Sequence, residues 1–195
     1  MVFSASQDRA DEARSSADAF LKARSKQVII NSFRESFFPY EGAGIKEYFE
    51  RLSQEFSPNL IFTHFRHDLH QDHRLISELT WNTFRNHLIL EYEVPKYDGD
   101  LGSPNVFVPL DESVARTKIQ YIQDYFRSQR GRHWFDHETF WSLLRLRGME
   151  CNAPSRYAEG FYCRKMLLEL GPGMAPGTLV AAEPAGHEHG ELGKR

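Results

Sequence analysis

The chain has 195 residues, of which 41% are hydrophobic and 26% charged, and it carries a formal net charge of -3. This length and composition are typical of one globular domain with its own core. The net charge gives no electrostatic support for nucleic-acid binding. A membrane-spanning helix needs about 18 consecutive apolar residues, and no stretch of the sequence is that long. Two cysteines, Cys151 and Cys163, form no disulfide framework, which favours a reducing, cytoplasmic setting.

Apolar runs and amphipathic stretches alternate along most of the chain. Strands are predicted at residues 2–5, 28–30, 59–63, 87–94 and 106–108, and helices at residues 6–23, 45–56, 72–86, 111–128 and 137–147. Residues 157–168 are apolar enough to pack as a strand or as a helix end. Alternating strands and helices predict an α/β fold with a parallel sheet, whose ligand sites lie at the carboxyl ends of strands.

The last part of the chain differs in composition. Residues 171–195 are rich in glycine and proline and show no periodicity, so we expect a disordered tail after a domain at residues 1–170. His187 and His189 in this segment are not expected to be ligands.

The loop after the strand at residues 59–63 concentrates side chains that bind metals and exchange protons. Four histidines and two aspartates fall within residues 64–73. Histidine is a common metal ligand and exchanges protons near neutral pH. In the run His70-Gln71-Asp72-His73 a carboxylate stands beside two imidazoles and can fix the tautomer of one of them. The loop therefore predicts a metal or acid–base site.

Two other interpretations of this loop remain open on spacing alone. Asp72 can simply cap the following helix, which would leave His70 and His73 exposed. A site made from the loop by itself would use His64, His67 and His73, although a catalytic zinc usually draws its ligands from distant segments.

Residues 58–64 and 68–74 resemble the second signature of the PIG-L/LmbE-like family of zinc-dependent N-deacetylases. That signature is a strand of the form P-D-hydrophobic-hydrophobic-hydrophobic-T-H, followed by D-x-H-x-D-H-R; the chain has PNLIFTH and DLHQDHR. Flanking segments are also similar: residues 2–5 with Arg9 and Glu12, Lys118 with residues 128–129, and the YAEGF run at residues 157–161. The resemblance extends over about residues 2–168.

The resemblance implies a Rossmann-like three-layer fold with a mostly parallel sheet. It also implies zinc-dependent removal of an N-acetyl group from an amino sugar, a nucleotide-sugar-like molecule or a glycoconjugate. His73 would be a zinc ligand, and His70 would stabilise the oxyanion or protonate the leaving amine. Asp72 would hydrogen-bond His70 and hold its tautomer, while Arg9 and Asp68 would support substrate binding.

The chain departs from the family at the first signature. That signature is an H-P-D-D-E-like run that supplies two zinc ligands and the general base, and this sequence has no such run. The chain begins at what resembles the family's second strand, so we expect the first strand and helix to be missing in front of Met1. One ligand of three should not hold catalytic zinc tightly, so the chain alone should be nearly inactive. Its uncovered sheet edge should also promote aggregation.

A different class of function remains open beside the hydrolase. The alternative is a non-catalytic Rossmann-like binding module that has lost its metal site. A serine hydrolase is not supported, because the sequence has no G-x-S-x-G run.

Overall fold

A computed structural model describes residues 1–3, 6–23 and 25–168. Ser4 and Ala5 of the predicted first strand, and the predicted disordered tail at residues 171–195, lie outside the described residues. The helices are α1 (Gln7–Phe20), α2 (Gly42–Glu55), α3 (Gln71–Thr83), α4 (Glu112–Tyr125) and α5 (His137–Glu150). The strands are β1 (Leu60–His64), β2 (Leu88–Tyr92), β3 (Val106–Pro109) and β4 (Ala158–Tyr162). Within these residues, no helix is both long and apolar enough to cross a bilayer.

Helix starts follow local side-chain chemistry at two of the helices. The Asp136 carboxylate accepts a hydrogen bond from the backbone N–H of Thr139 at 2.7 Å and so caps α5. His70, and not Asp72, is the capping residue of α3, and its Nδ1 accepts from the Asp72 N–H at 3.3 Å. The interpretation of Asp72 as a simple helix cap is therefore wrong.

The four named strands form one sheet in the order β1-β2-β4-β3. β1 pairs in parallel with β2, with Leu60 opposite Leu88 and His64 opposite Tyr92. β4 is antiparallel to both β2 and β3. Parallel pairing is thus confined to the N-terminal part of the described chain, where helices connect the strands. The α/β class and the Rossmann-like fold are confirmed, and residues 157–168 supply a strand.

Two apolar clusters hold the helices in place. The larger lies between α2, α3 and the start of the sheet, and it includes the fully buried Ile45 and Ile89. The smaller joins α4 and α5 through Ala115, Ile119 and Leu144. The larger cluster fixes α3 against β1, where the hydroxyls of Thr63 and Thr80 lie 3.1 Å apart.

A slot separates the beginning of the chain from β1. Val2 forms a parallel bridge with Ile30, because its N–H donates to Ile29 O at 2.8 Å and its carbonyl accepts from the Asn31 N–H at 2.8 Å. Between this short ladder and β1 lies a cavity of about 390 Å³ with mainly apolar walls. Among the described strands, β1 pairs only with β2, and Phe62 on it is 54% exposed. The slot therefore lies along an unpaired strand edge.

Candidate active site

The loop between β1 and α3 brings three of its four histidines together. The His64 and His73 rings stack 3.9 Å apart and nearly parallel, and the His70 ring lies 4.6 Å from that of His73. All three line a cavity of about 370 Å³. His67 instead meets the ring of Phe65, 5.4 Å away, so the proposed loop-only set of His64, His67 and His73 does not form.

Asp68 is the carboxylate that holds His73. Its Oδ2 lies 2.9 Å from His73 Nδ1, while Oδ1 accepts from the His70 N–H at 2.8 Å and pairs with Lys96 Nζ at 3.1 Å. Burial alone would raise its pKa, but the hydrogen bond and charge of His73, with those from the His70 N–H and Lys96, hold the pKa of Asp68 at about 2. An ionised carboxylate only accepts, so His73 carries its proton on Nδ1 and presents the Nε2 lone pair.

His70 has the opposite tautomer in its neutral form. Its Nδ1 accepts from the Asp72 N–H, so the ring proton lies on Nε2. The two rings therefore offer different chemistry to one cavity: a lone pair on His73 and an N–H donor on His70. The difference arises because Nδ1 of His73 donates to a carboxylate, whereas Nδ1 of His70 accepts from a backbone N–H.

His64 is kept neutral beneath the other two histidines. Its Nε2 lies 3.4 Å from the Tyr92 hydroxyl, and its buried Nδ1 has no hydrogen-bond partner among the described residues. Burial, and then the nearby charge of His73, lower the pKa of His64 to about 3. Burial, with the charge of Asp68, raises the pKa of Tyr92 to about 12. His64 thus adds no charge to the cavity at neutral pH.

The expected role of Asp72 requires correction. Its carboxylate accepts from the backbone N–H groups of Ser36 at 2.6 Å and Phe38 at 3.2 Å, and it does not bond the His70 ring. The first turn of α3 points this buried side chain back at the 36–38 segment, so that the carboxylate anchors one wall of the cavity. Asp72 supports His70 only through its backbone N–H.

The two predicted substrate contacts are placed differently from each other. Arg9 lines the histidine cavity and pairs with Glu35 at 2.6 Å. Asp68, by contrast, is 2% exposed and lies behind His73, outside the cavity lining, where it supports the loop by holding His73. Asp68 is not free for a further contact, because its oxygens are already engaged by Lys96, His73 and the His70 N–H.

Other contacts around the site were not predicted from the sequence. Glu12 on α1 accepts from both the N–H and the hydroxyl of Ser128 at 2.7 Å, which joins two distant walls. Lys96 lies in a glycine- and proline-rich loop that carried no signal of its own. Its ion pairs with Asp68 and Asp100 depend on how that loop folds over residues 65–70.

A set of ligating atoms from His64, Asp68 and His73 lies within 4.8 Å of one another. The oxygens of Asp68 are already engaged by Lys96, the His70 N–H and His73. Each imidazole lone pair lies in its own ring plane, and because the two rings stack with nearly parallel planes, one ion cannot lie in both planes. We therefore assign Asp68 to holding His73 and not to the metal.

Comparison with known proteins adds a family and a fold. Residues 4–84 match the PIG-L family, described as GlcNAc-PI de-N-acetylase. The structure is similar to a conserved protein from Thermus thermophilus, with a TM-score of 0.60 and 17% identity, over 88% of this chain and 79% of that one. No curated protein sequence matches the chain.

Two deacetylases are also similar in structure. Dbv21, the pseudoaglycone deacetylase of the antimicrobial reagent A40926, has a TM-score of 0.55 at 19% identity, covering 80% of this chain and 69% of its own. A triple mutant of a deacetylase in the teicoplanin biosynthetic pathway has a TM-score of 0.57 at 18% identity, covering 78% and 68%. At these identities the likeness concerns the fold, and together with the family match it confirms the resemblance noted in the sequence.

Proposed function

We propose, from the match of residues 4–84 to the PIG-L family, that the chain provides a deacetylase-type hydrolase domain. Its substrate is an N-acetylated amino sugar or glycoconjugate, a nucleotide-sugar-like molecule included, and its cofactor is zinc. The observation that carries the proposal is the pair of complementary tautomers, His73 with a free Nε2 and His70 with an Nε2–H, facing one cavity.

The donor set fits zinc on the His73 side. An imidazole whose other nitrogen donates to a carboxylate is the usual second-layer arrangement of protein zinc sites, and Asp68 supplies that carboxylate. His73 would therefore hold the ion through Nε2. When bound, zinc supplies a Lewis acid and an activated water.

His70 does the remaining chemistry that the described residues can provide. Its Nε2–H can donate to the oxyanion that forms when the amide carbonyl is attacked, or pass its proton to the leaving amine. Arg9 and Glu35 offer charged hydrogen-bonding groups to the hydroxyls of a sugar on the rim of the same cavity.

Among the described residues that line the cavity, no carboxylate is free to act as the base, because Glu12 is bonded to Ser128 and Glu35 to Arg9. Asp72 is tied to two backbone N–H groups and Asp68 is buried behind His73. The base and the remaining ligands would come from the family's first strand and its H-P-D-D-E-like run. We infer that this strand would lie in the slot beside β1, because among the described strands β1 pairs only with β2 and one end of the slot reaches His64.

Zinc binding and deacetylation, measured on this chain and on a version that carries the family's first strand and helix in front of Met1, test the proposal. The chain alone should bind zinc more weakly than micromolar and turn over no N-acetylated sugar. The extended version should be active, and His73→Ala should lower its kcat/KM at least about 100-fold at fixed zinc. His67→Ala is the matched control and should leave activity unchanged.

The non-catalytic binding module is favoured by one observation: every carboxylate among the described cavity residues is already engaged by a partner within the protein. It predicts that the extended version binds zinc or sugar without turnover. Tight, stoichiometric zinc binding by the chain alone would contradict both the missing ligands and the role given to the slot.

A further inference from the structure

Four basic side chains converge on a second cleft, separate from the histidine cavity. They are Arg66 after β1, Arg85 after α3, and Arg164 and Lys165 after β4, and they line a cavity of about 510 Å³ together with Glu78, Trp81 and Asn82. We call this the basic cleft. It shares no lining residue with the histidine cavity. Three separate segments of the chain therefore bring positive charges together in the basic cleft.

The charges in the basic cleft are not neutralised within the described part of the chain. None of its four cations forms an ion pair there. The carboxylates nearby are Glu78 in the lining and Glu91 beneath it, which leaves an excess of two positive charges. Because the whole chain has a net charge of -3, this excess is a local concentration and not a general basic character.

A buried carboxylate holds the wall of the basic cleft in place. Glu91 is 1% exposed, and it accepts from Trp81 Nε1 at 2.5 Å and from the backbone N–H of Arg66 at 2.9 Å. The guanidinium of Arg164 lies over the Trp81 ring, 5.3 Å from its centroid. Glu91 thus fixes both the backbone of Arg66 and the Trp81 ring on which Arg164 stacks. Because these groups are already ordered, a ligand that binds here loses less free energy to ordering the protein.

The chemistry of these groups matches a phosphate. Guanidinium groups donate paired N–H bonds to phosphate oxygens, and a dianion gains most where several cations meet without carboxylate partners. A cavity of this size also exceeds a bare phosphate and can hold a ring attached to it. We propose that the basic cleft binds the phosphate group of a small organic phosphate.

Calorimetric titration of the full chain with pyrophosphate at low ionic strength tests this proposal. We expect one saturable site per chain, weakened by salt. Arg66→Gln and Arg164→Gln should each lower the affinity about fivefold, as expected for a partly exposed charge-assisted contact. Glu78→Gln should raise the affinity, because it removes a repelling charge without disturbing a bond.

A matched control lies on α4. Arg116 also stacks on a tryptophan, 4.8 Å from the Trp141 centroid, but it pairs with Glu112, and Arg116→Gln should leave binding unchanged. Equal loss of affinity in Arg116→Gln, uptake that never saturates, or binding to phosphatidylserine vesicles without binding to pyrophosphate would each overturn the proposal. Circular dichroism of every variant separates loss of binding from loss of fold. The result does not depend on whether the chain is a deacetylase.

Discussion

Asp68 connects Lys96 to His73, and its charge should matter more than its shape. We expect Asp68→Asn to lower the free energy of unfolding by about 3 kcal/mol, since it leaves the buried Lys96 short of one partner. In the extended version, zinc affinity should fall about 10- to 100-fold, because Nδ1 of His73 loses its charged acceptor. Urea denaturation and zinc titration measure the two effects.

Asp98 provides the control for that substitution. It lies 3.7 Å from the same Lys96 Nζ but is 37% exposed. Asp98→Asn should change stability by less than about 0.5 kcal/mol, as surface ion pairs usually do. Equal effects at the two positions would show that burial of Asp68 is not what makes it important.

His64 should make the fold sensitive to acid. Its pKa is about 3 in the folded chain against about 6.5 when unfolded, so between these values only the unfolded chain takes up the proton. The contribution of neutral His64 to the free energy of unfolding is therefore complete above pH 6.5. It should fall by up to about 1.4 kcal/mol per pH unit as the pH is lowered toward 3. Asp68, with its lowered pKa of about 2, adds to the loss below about pH 4.

The groups that face His64 are His73, His70, Asp68, Lys96 and Tyr92, so the slope belongs to this cluster. His64→Asn should flatten the dependence of the denaturation midpoint on pH in that window. The exposed His133 serves as control. A slope that survives in His64→Asn would assign the acid sensitivity to other groups.

At the scale of elements, α5 and the segment before β4 approach too closely for any side chain at Gly148. A Cβ there would lie 2.2 Å from the carbonyl oxygen of Arg156 and 2.6 Å from the Tyr157 nitrogen, both backbone atoms. Gly148→Ala should therefore destabilise the chain by about 3 kcal/mol or more, because backbone must move. Gly42→Ala, at the start of α2, meets nothing within 4 Å and should be neutral or slightly stabilising. Thermal denaturation compares the two.

Local patterns were enough to predict most elements and the loop that carries the histidines. The apolar run before His64 and the amphipathic repeat after His70 gave β1 and α3 to within a few residues. The exchange of roles between Asp68 and Asp72 could not be predicted, because both are spaced to reach a histidine. Only the turn at residues 65–70 and the approach of residues 36–38 decide which carboxylate does so.

The slot beside β1 leaves apolar surface next to a strand edge that is unpaired among the described strands. Phe62 is 54% exposed there. Phe62→Lys should slow aggregation of the chain, since a charge on an edge strand discourages pairing with another chain. Val114 on α4 is 51% exposed but lies away from the sheet, so Val114→Lys should leave the aggregation rate unchanged. Light scattering at matched concentrations measures the difference, and equal rates would exclude the edge as the cause.

Long-range polar contacts were beyond the reach of sequence patterns. Arg147 on α5 is 2% exposed and pairs through two nitrogens with Glu93, 54 residues away. In the sequence, a helix with a buried arginine cannot be told from a helix with a solvated arginine, because the carboxylate that pairs with the arginine lies far away along the chain. The same holds for Lys96 and for the basic cleft, whose members come from three separate segments.

The bond between Glu12 and Ser128 sets an order of events during synthesis. The two residues are 116 positions apart, and their contact closes one wall of the histidine cavity. At about 5 to 20 residues per second, a ribosome needs roughly 6 to 23 s to add the second partner after the first. From the addition of His73 until that of Ser128, this wall of the cavity is absent, so the histidines of the nascent chain are accessible to metal ions and chaperones.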